Sequence, residues 1–315
     1  MSAITVSRAL NSPALVTQAT LAKVQRAVER TGYVPNLLAG GLASNRSRLV
    51  AALVPTIAGS VFLETVQALT ESLTAAGSQL ILGQSGYTGA HEDALLDALI
   101  GRRPDGIVLT GILRSATGRR RLLASGIPVV ETWDLTPTPI DMLVGFSHEQ
   151  VGIAVARYLY DKGYRRPGLV FADDYRASKR RLGFEQALAE LGLCPPPASM
   201  VAAPSALGSG RSGLQELLAI DATLDVVFCS SDLLAQGVIT EAQAQGRRIP
   251  DDLAVMGFGD QDFARYLNPA LTTVRIDGTA IGRQATAFIL QRAEGREPDP
   301  KIVDIGFSIA ERASV

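Results

Sequence analysis

The sequence predicts an α/β protein with two similar parallel-sheet halves behind a short helical segment. From Leu49 onward, short apolar runs typical of buried strands alternate with segments of helical periodicity. This alternation predicts parallel sheets joined by right-handed crossovers. The pattern restarts at His148, so we expect a body of two subdomains. A ligand cleft is expected between them, at the carboxyl ends of the strands.

Composition and charge divide the chain into a basic end and an acidic body. The net charge is −1, but residues 1–48 carry six basic side chains against one acidic, which leaves −6 on the remainder. A basic end on an acidic body indicates a nucleic-acid-binding segment. The sequence shows no signal-peptide pattern and no apolar run long enough to span a membrane, so we expect a cytoplasmic protein without a membrane partner. Cys194 and Cys229 have no metal-binding spacing, which fits a reducing compartment.

The basic segment contains two helical patterns followed by a joint. Helices are predicted over 2–11 and 17–30, separated by a Ser-Pro break. Gly32 is expected to end the second helix, and Pro35 keeps the residue before it out of the helical region. A short third helix over 37–43 carries two glycines, so it should be marginal on its own. This marginal helix between better-formed parts suggests ordering on binding.

The body pattern gives a definite set of elements. The predicted strands are 49–55, 79–84, 105–110, 127–131, 142–144, 167–171, 225–229, 252–258 and 302–306. The predicted helices are 61–76, 91–100, 148–162, 178–191, 233–244 and 278–292. The last helix should return the chain to the first half. We therefore predict a headpiece at 1–48 and a body at 49–315. Within the body, the first subdomain would comprise 49–146 plus 278–303, and the second 147–277 plus 304–315.

Motifs in the basic segment resemble the headpiece of the LacI/GalR family of transcriptional repressors. The similar runs are residues 3–11, 24–28 and 32–36. The resemblance implies that the first run forms the recognition helix of a helix-turn-helix, and that the third leads into a hinge helix whose leucine enters the minor groove. Carried over residue by residue, the DNA-binding set would be Thr5, Ser7, Arg8, Asn11, Asn36 and Leu42.

The same resemblance covers the body. Residues 180–184, 230–232 and 268–274 are similar to motifs of the family's periplasmic-binding-protein-like pair of Rossmann-like subdomains. It implies a homodimer that binds double-stranded operator DNA under control of a small effector, without a cofactor. The family's first headpiece helix would precede Ser2. We therefore expect a truncated helix-turn-helix headpiece, from a start assigned too far downstream or from a shortened chain.

Effector-binding candidates follow the ends of predicted strands. The resemblance implies that Arg180, in an R-x-x-G-F motif, clamps the effector, and a guanidinium suits bidentate pairing with a carboxylate or neighbouring hydroxyls. Asp260 sits one residue beyond the family's usual aspartate position, because Gly259 follows Phe258. The predicted effector set is Phe62, Gln84, Thr110, Trp133, Arg180, Ser231, Asp232 and Asp260.

Within the family, four segments resemble the gluconate-operon repressors. They are residues 83–87, 127–131, 144–146 and 300–307. This closer resemblance implies a sugar acid such as gluconate as the effector.

Two other functions use parts of the same sequence. A periplasmic solute-binding protein would share the body, but the basic segment and the missing signal-peptide pattern oppose it. An NAD-dependent enzyme would use the G-x-G-x-x-G run at 208–213, with Asp232 about twenty residues on. Residues 204–207 separate that run from the preceding strand, which favours a loop and helix start. His91 and His148 lack nucleophile or metal-ligand spacing, so no enzymatic or metal site is predicted.

Overall fold

The computed structural model describes residues 1–34, 46–57, 60–87 and 92–315. The chain divides into two compact units, Met1–Ser47 and Arg48–Val315. The predicted hinge helix, including Asn36 and Leu42, lies outside the described residues, as does His91. Within the described ranges, none of the helices is both long and apolar enough to cross a membrane.

The first unit contains two helices that contact each other. Helix α1 spans Ala3–Asn11 and α2 spans Gln18–Thr31, with a short 3-10 turn between them. Ala9 and Val24 are its buried apolar residues, each 3% exposed. The left-handed backbone of Gly32 (φ +64°) ends α2. Both predicted helices are confirmed.

The second unit is built on two six-stranded sheets. We call each sheet, together with the helices that pack on it, a lobe, and number the two lobes in chain order. The first sheet has the order β11-β5-β4-β3-β1-β2, with parallel pairing throughout. Its strands are β1 Leu49–Val54, β2 Gln79–Gln84, β3 Gly106–Thr110, β4 Val129–Thr132, β5 Met142–Gly145 and β11 Ile302–Asp304. The order places β1 and β3 in the sheet interior, where the residues of β3 are buried up to Leu109, as its continuous apolar run predicts.

The second sheet repeats this plan. Its order is β12-β10-β9-β8-β6-β7, and only the edge strand β12 runs antiparallel, against β10. The strands are β6 Pro167–Ala172, β7 Ala198–Val201, β8 Val226–Cys229, β9 Ala254–Phe258, β10 Thr272–Arg275 and β12 Ser308–Ala310. Asp304, which the sequence assigned to the second subdomain, instead ends β11 of the first sheet because it pairs with Gly145.

Helices connect the strands of both sheets. In the described part of the body they are α3 Leu63–Ala75, α4 Glu92–Ile100, α5 Ala116–Ser125, α6 His148–Asp161, α7 Tyr175–Glu190, α8 Leu207–Ile220, α9 Asp232–Ala244 and α10 Gly278–Ala293. Helix α10 contacts α3, which confirms its predicted return to the first lobe. Helix α7 begins three residues earlier than predicted because the Asp174 carboxylate caps its first turn. Strands β7, β10 and β12 and helices α5 and α8 were missed as separate elements.

The glycine run at 208–213 lies inside α8, where it allows close packing against α9. A Cβ on Gly210 would lie 2.2 Å from the carbonyl oxygen of Leu234, and one on Gly237 would lie 2.2 Å from that of Leu207. The run therefore serves contact between two helices. It is not the strand-to-helix turn that a dinucleotide site requires, so the structural basis for the NAD-dependent alternative is removed.

Candidate functional site

A cleft between the two lobes collects side chains from several connecting segments. Its apolar wall includes Val61, Phe62, Trp133, Leu233 and Phe258. Its polar lining comprises Thr56, Tyr87, His148, Asp174, Arg176, Arg180, Ser205, Ser230, Ser231 and Gln261. Aromatic faces beside hydroxyl, amide and guanidinium groups are the features that bind a polar small molecule.

Arg180 is the central cation of this cleft. It projects from the second turn of α7 and is only 4% exposed. Its Nη1 lies 2.8 Å from Nδ1 of His148, its Nη2 donates to the carbonyl oxygen of Ser230 at 3.0 Å, and its guanidinium carbon lies 3.9 Å from the Phe258 ring centre. The Nε is buried without a partner. Burial lowers the pKa of Arg180 to about 10.

The two hydrogen-bond acceptors of Arg180, Nδ1 of His148 and the carbonyl oxygen of Ser230, are neutral, so the guanidinium forms no direct salt bridge with either. Asp174 is the acidic residue of the cleft lining. Its Oδ1 accepts hydrogen bonds from the backbone N–H groups of Arg176 and Ala177. Lys179 forms a salt bridge to Asp134 across the lobes at 2.9 Å. A buried guanidinium in this position favours an anionic ligand.

Helix α7 presents further cations to the first lobe. Arg176, one helical turn before Arg180, donates to the carbonyl oxygen of Thr110 at 3.2 Å and lies over the Phe62 ring at 5.1 Å. Arg176, Lys179 and Arg180 follow the i, i+3, i+4 spacing of one helix face. This face therefore supplies contacts between the lobes as well as positive charge in the cleft.

Two aromatic residues of the apolar wall, Phe62 and Trp133, belong to the first lobe. Trp133 is 2% exposed and meets Phe62 edge to face, with ring centres 5.1 Å apart. Its backbone has φ +63°, an uncommon conformation for a side chain of this size, which the surroundings must hold. Its indole N–H donates to Thr65 at 3.0 Å, and Thr65 donates to the carbonyl oxygen of Gly278 at the start of α10.

The structure brings four of the predicted effector residues to the cleft. Phe62, Trp133, Arg180 and Ser231 line it. Thr110 lies in an adjoining pocket, together with Tyr87, Asp174 and Arg176. Gln84 is exposed at the end of β2 and lines neither pocket, because the side chain after it, that of Ser85, is the one turned inward.

The two predicted aspartates are engaged elsewhere in the second lobe, which corrects their expected role. Asp232 accepts from the Thr273 hydroxyl at 2.5 Å and from the backbone N–H of Gln261 at 2.7 Å. Burial raises the pKa of Asp232 to about 6. Asp260 accepts from Arg312 at 2.6 Å and bonds the C-terminal segment to the sheet. Neither residue lines the cleft, because these internal partners draw both carboxylates into the lobe.

Sequence reasoning missed several lining residues. Arg176 lies four residues before Arg180 on the same helix, but the helix predicted from the sequence began at residue 178 and so excluded it. His148, which we assigned no role, is 1% exposed and bonded on both ring nitrogens. Burial, with the neighbouring arginines, holds the pKa of His148 well below its usual range. Ser205 and Gln261 come from connecting segments that carry no motif.

The headpiece presents part of the predicted DNA-binding set. Ser7 and Arg8 lie on the exposed side of α1, and Thr5 is half-buried beside the Ser2 cap. Asn11 is the last residue of α1. An exposed arginine and small polar residues on one helix suit contacts to phosphates and base edges.

The two-lobed body with its polar cleft defines a periplasmic-binding-protein-like ligand-binding protein, and the helical headpiece adds a DNA-binding element. The profile of the bacterial regulatory proteins of the lacI family matches residues 1–36, and that of the periplasmic binding protein-like domain matches residues 156–315. The HTH-type transcriptional regulator GntR of Pseudomonas aeruginosa is 36% identical, over 100% of this chain and 92% of its own length.

Solved structures agree with this relationship. A LacI family transcriptional regulator from Silicibacter pomeroyi has a TM-score of 0.93 at 33% identity, covering 100% of this chain and 96% of the other. The transcription regulator GntR from Chromobacterium violaceum has a TM-score of 0.81 at 35% identity, covering 84% of this chain and 98% of the other. The chain therefore belongs to the LacI family of bacterial transcriptional regulators. It is a DNA-binding regulator and not an enzyme.

Proposed function

We propose that this regulator represses transcription as a homodimer on operator DNA in the cytoplasm, and that a sugar acid, gluconate, bound between the lobes controls its operator affinity. The observation that carries the effector assignment is Arg180, a buried guanidinium that lines the cleft, contacts neutral acceptors and keeps an unpartnered Nε. A ligand carboxylate would supply the missing charge and an acceptor together.

The other lining residues fit the remainder of a sugar acid. Arg176 adds a second guanidinium beside Arg180. Tyr87, Ser205 and Ser231 offer hydroxyl groups to a polyol chain, and burial raises the pKa of Tyr87, so its hydroxyl stays protonated. Trp133 and the other aromatic side chains provide faces for the C–H groups of a sugar. A neutral sugar would satisfy the hydroxyl groups and leave the guanidinium charge uncompensated.

Effector binding can control DNA binding because the two lobes meet at the cleft. A ligand shifts a conformational equilibrium only if it binds one state more tightly than the other. Contacts from α7 to the first lobe, such as the Arg176 bond to Thr110 and the Lys179 bridge to Asp134, change if the lobes open. We propose that this change reaches the headpieces through the first lobe and the hinge segment.

Isothermal titration tests the effector. We would titrate the 315-residue chain with gluconate, glucose, ribose and hypoxanthine in parallel. Gluconate alone should bind in the micromolar range, and Arg181→Met should bind it as the unchanged chain does, because Arg181 pairs with Glu185 away from the cleft. Heat from glucose, ribose or hypoxanthine without heat from gluconate would reject the sugar acid.

Tryptophan fluorescence, followed in a parallel titration with the same ligands, reports on the cleft independently. Trp133 is the only tryptophan of the chain, so its fluorescence follows occupancy of the lining. Binding heat without any change in emission would place the ligand outside the proposed site.

A further inference from the structure

His148 lies between the two lobes and contacts both. It is the first residue of α6, and its Nδ1 is 2.8 Å from Nη1 of Arg180 in the second lobe. Its Nε2 is 2.8 Å from the carbonyl oxygen of Trp133, which follows β4 of the first lobe. The rings of Phe146 and Phe258 have their centres 4.6 and 6.1 Å from the imidazole, so they limit its rotation.

These partners decide where the imidazole carries its proton. Arginine nitrogens only donate hydrogen bonds, and a carbonyl oxygen only accepts them. Nδ1 of His148 must therefore accept from Arg180, while Nε2 carries the hydrogen that is donated to Trp133. Protonation of Nδ1 would set an N–H against an N–H and place two positive charges together in a buried site. The geometry fits only the neutral ring in this one tautomer.

We propose that His148 is a positioning residue of the effector site, whose neutral Nε2–H imidazole fixes the guanidinium of Arg180 and ties it to the first lobe through Trp133. The proposal rests on the proposed function, since it concerns how Arg180 meets an effector. His148 acts through Arg180, and its role is to set the orientation of the guanidinium before the ligand arrives.

The arrangement leaves Arg180 ready to bind an anion. His148 holds Nη1, the carbonyl oxygen of Ser230 holds Nη2, and Phe258 lies against the guanidinium carbon. The two hydrogen bonds and the ring contact together fix the orientation of the guanidinium, which cannot turn without breaking one of them. The buried, unpartnered Nε is then held in a fixed direction, and the ligand does not have to order the side chain.

Positive groups dominate the surroundings of the imidazole. The charged and titratable side chains around it are Arg176, Lys179 and Arg180 of α7, Asp174 before α7, Asp134 after β4 and Tyr87 after β2. Asp134 is paired with Lys179, and Asp174 caps α7. Burial and the α7 cations hold the pKa of His148 well below its usual range. Acid strong enough to protonate the ring should release Arg180 and weaken effector binding.

Nuclear magnetic resonance of the whole chain tests the tautomer directly. The sequence contains only two histidines, so His91→Gln assigns the ring signals. In long-range proton–nitrogen spectra we expect His148 to show the Nε2–H tautomer and to titrate well below the ordinary value of about 6.5. An Nδ1–H tautomer, or titration near the ordinary value, would overturn the proposal whether or not gluconate binds.

Two substitutions separate the two bonds of the imidazole. His148→Asn sets a carbonyl oxygen near the place of Nδ1 and so keeps an acceptor for Arg180. His148→Gln sets its amide near the place of Nε2 and leaves Arg180 without that acceptor. We expect His148→Asn to bind gluconate at least about 10-fold more tightly than His148→Gln, because the acceptor governs the position of the guanidinium.

The pH dependence supplies a readout that a purely structural role would not change. Gluconate affinity of the unchanged chain should fall as the pH drops through the titration of His148, whereas His148→Asn, whose amide does not titrate, should lose affinity only where the ligand carboxyl itself is protonated. Equal affinities of the two variants, or the same acid-dependent loss in His148→Asn as in the unchanged chain, would contradict the proposal. Failure of the unchanged chain to bind gluconate would reject the proposed effector, while the tautomer would still decide the role of His148.

Discussion

Replacement of Arg180 by methionine should remove effector binding while leaving the fold nearly as stable. The pKa of Arg180 is about 10 instead of 12.5, which corresponds to roughly 3 kcal/mol against the charged form in the folded chain. Arg180→Met relieves this cost. It also leaves Nδ1 of His148 and the carbonyl oxygen of Ser230 without a donor, at about 1–3 kcal/mol each. These opposing terms cancel to within about 3 kcal/mol.

The loss of binding should be much larger. A charge-assisted hydrogen bond contributes about 1.5–3 kcal/mol, so losing two of them to a ligand carboxylate weakens gluconate binding by at least about 100-fold. Isothermal titration measures this loss, and thermal unfolding measures the stability of the same sample. Arg181→Met is the matched control, because Arg181 neighbours Arg180 on α7 and pairs with Glu185.

Gluconate binding by Arg180→Met within about 3-fold of the unchanged chain, a difference of less than 1 kcal/mol, would exclude Arg180 as the residue that binds the ligand carboxylate. A variant that unfolds several kcal/mol more easily would show instead that Arg180 chiefly supports the fold. An equal loss in Arg181→Met would indicate a general effect of charge on α7.

Three further changes test other parts of the molecule. Asp232→Asn removes a carboxyl whose folded pKa, about 6, exceeds its ordinary 3.8. The unchanged chain should therefore lose roughly 3 kcal/mol of unfolding free energy relative to this variant as the pH rises from about 4 to 7, as measured by urea unfolding. Gly210→Ala should destabilise the second lobe by several kcal/mol, because its Cβ meets the carbonyl oxygen of Leu234, whereas Gly208→Ala on the same helix meets nothing within 4 Å and should be tolerated. Arg8→Ala should abolish binding to DNA selected by the unchanged chain from a random pool, and Arg30→Ala should weaken it much less; equal losses would contradict a recognition role for α1.

Local patterns accounted for most of the elements. The run Leu49–Val54 became β1 because a continuous apolar run in a parallel sheet is buried on both faces. The run Gln79–Gln84 became β2 with the predicted bounds, although this edge strand is largely exposed or half-buried. The start of α7 was missed because its cap, Asp174, lies in a segment whose helical periodicity is weak. The glycines at 208–213 were ambiguous because a loop and a close helix contact both favour glycine.

The site depended on contacts between residues far apart in the chain. Asp260 was a reasonable ligand candidate after β9, but Arg312, 52 residues later, takes its carboxylate. Asp232 was similarly drawn to Thr273, 41 residues on. No local pattern shows which of several acidic groups an internal partner will occupy.

Local patterns in the sequence predicted the two-lobed α/β plan, the basic helical headpiece, the cleft between the lobes and a position for Arg180 in that cleft, because periodicity, charge and short motifs are properties of neighbouring residues. The contacts that hold Arg180 in place appear only in the folded chain. Its contacts with His148 and Ser230, and the bond from His148 to Trp133, join three connecting segments. The distances among those segments arise when both sheets form and their strand ends meet, so no stretch of the chain encodes them alone.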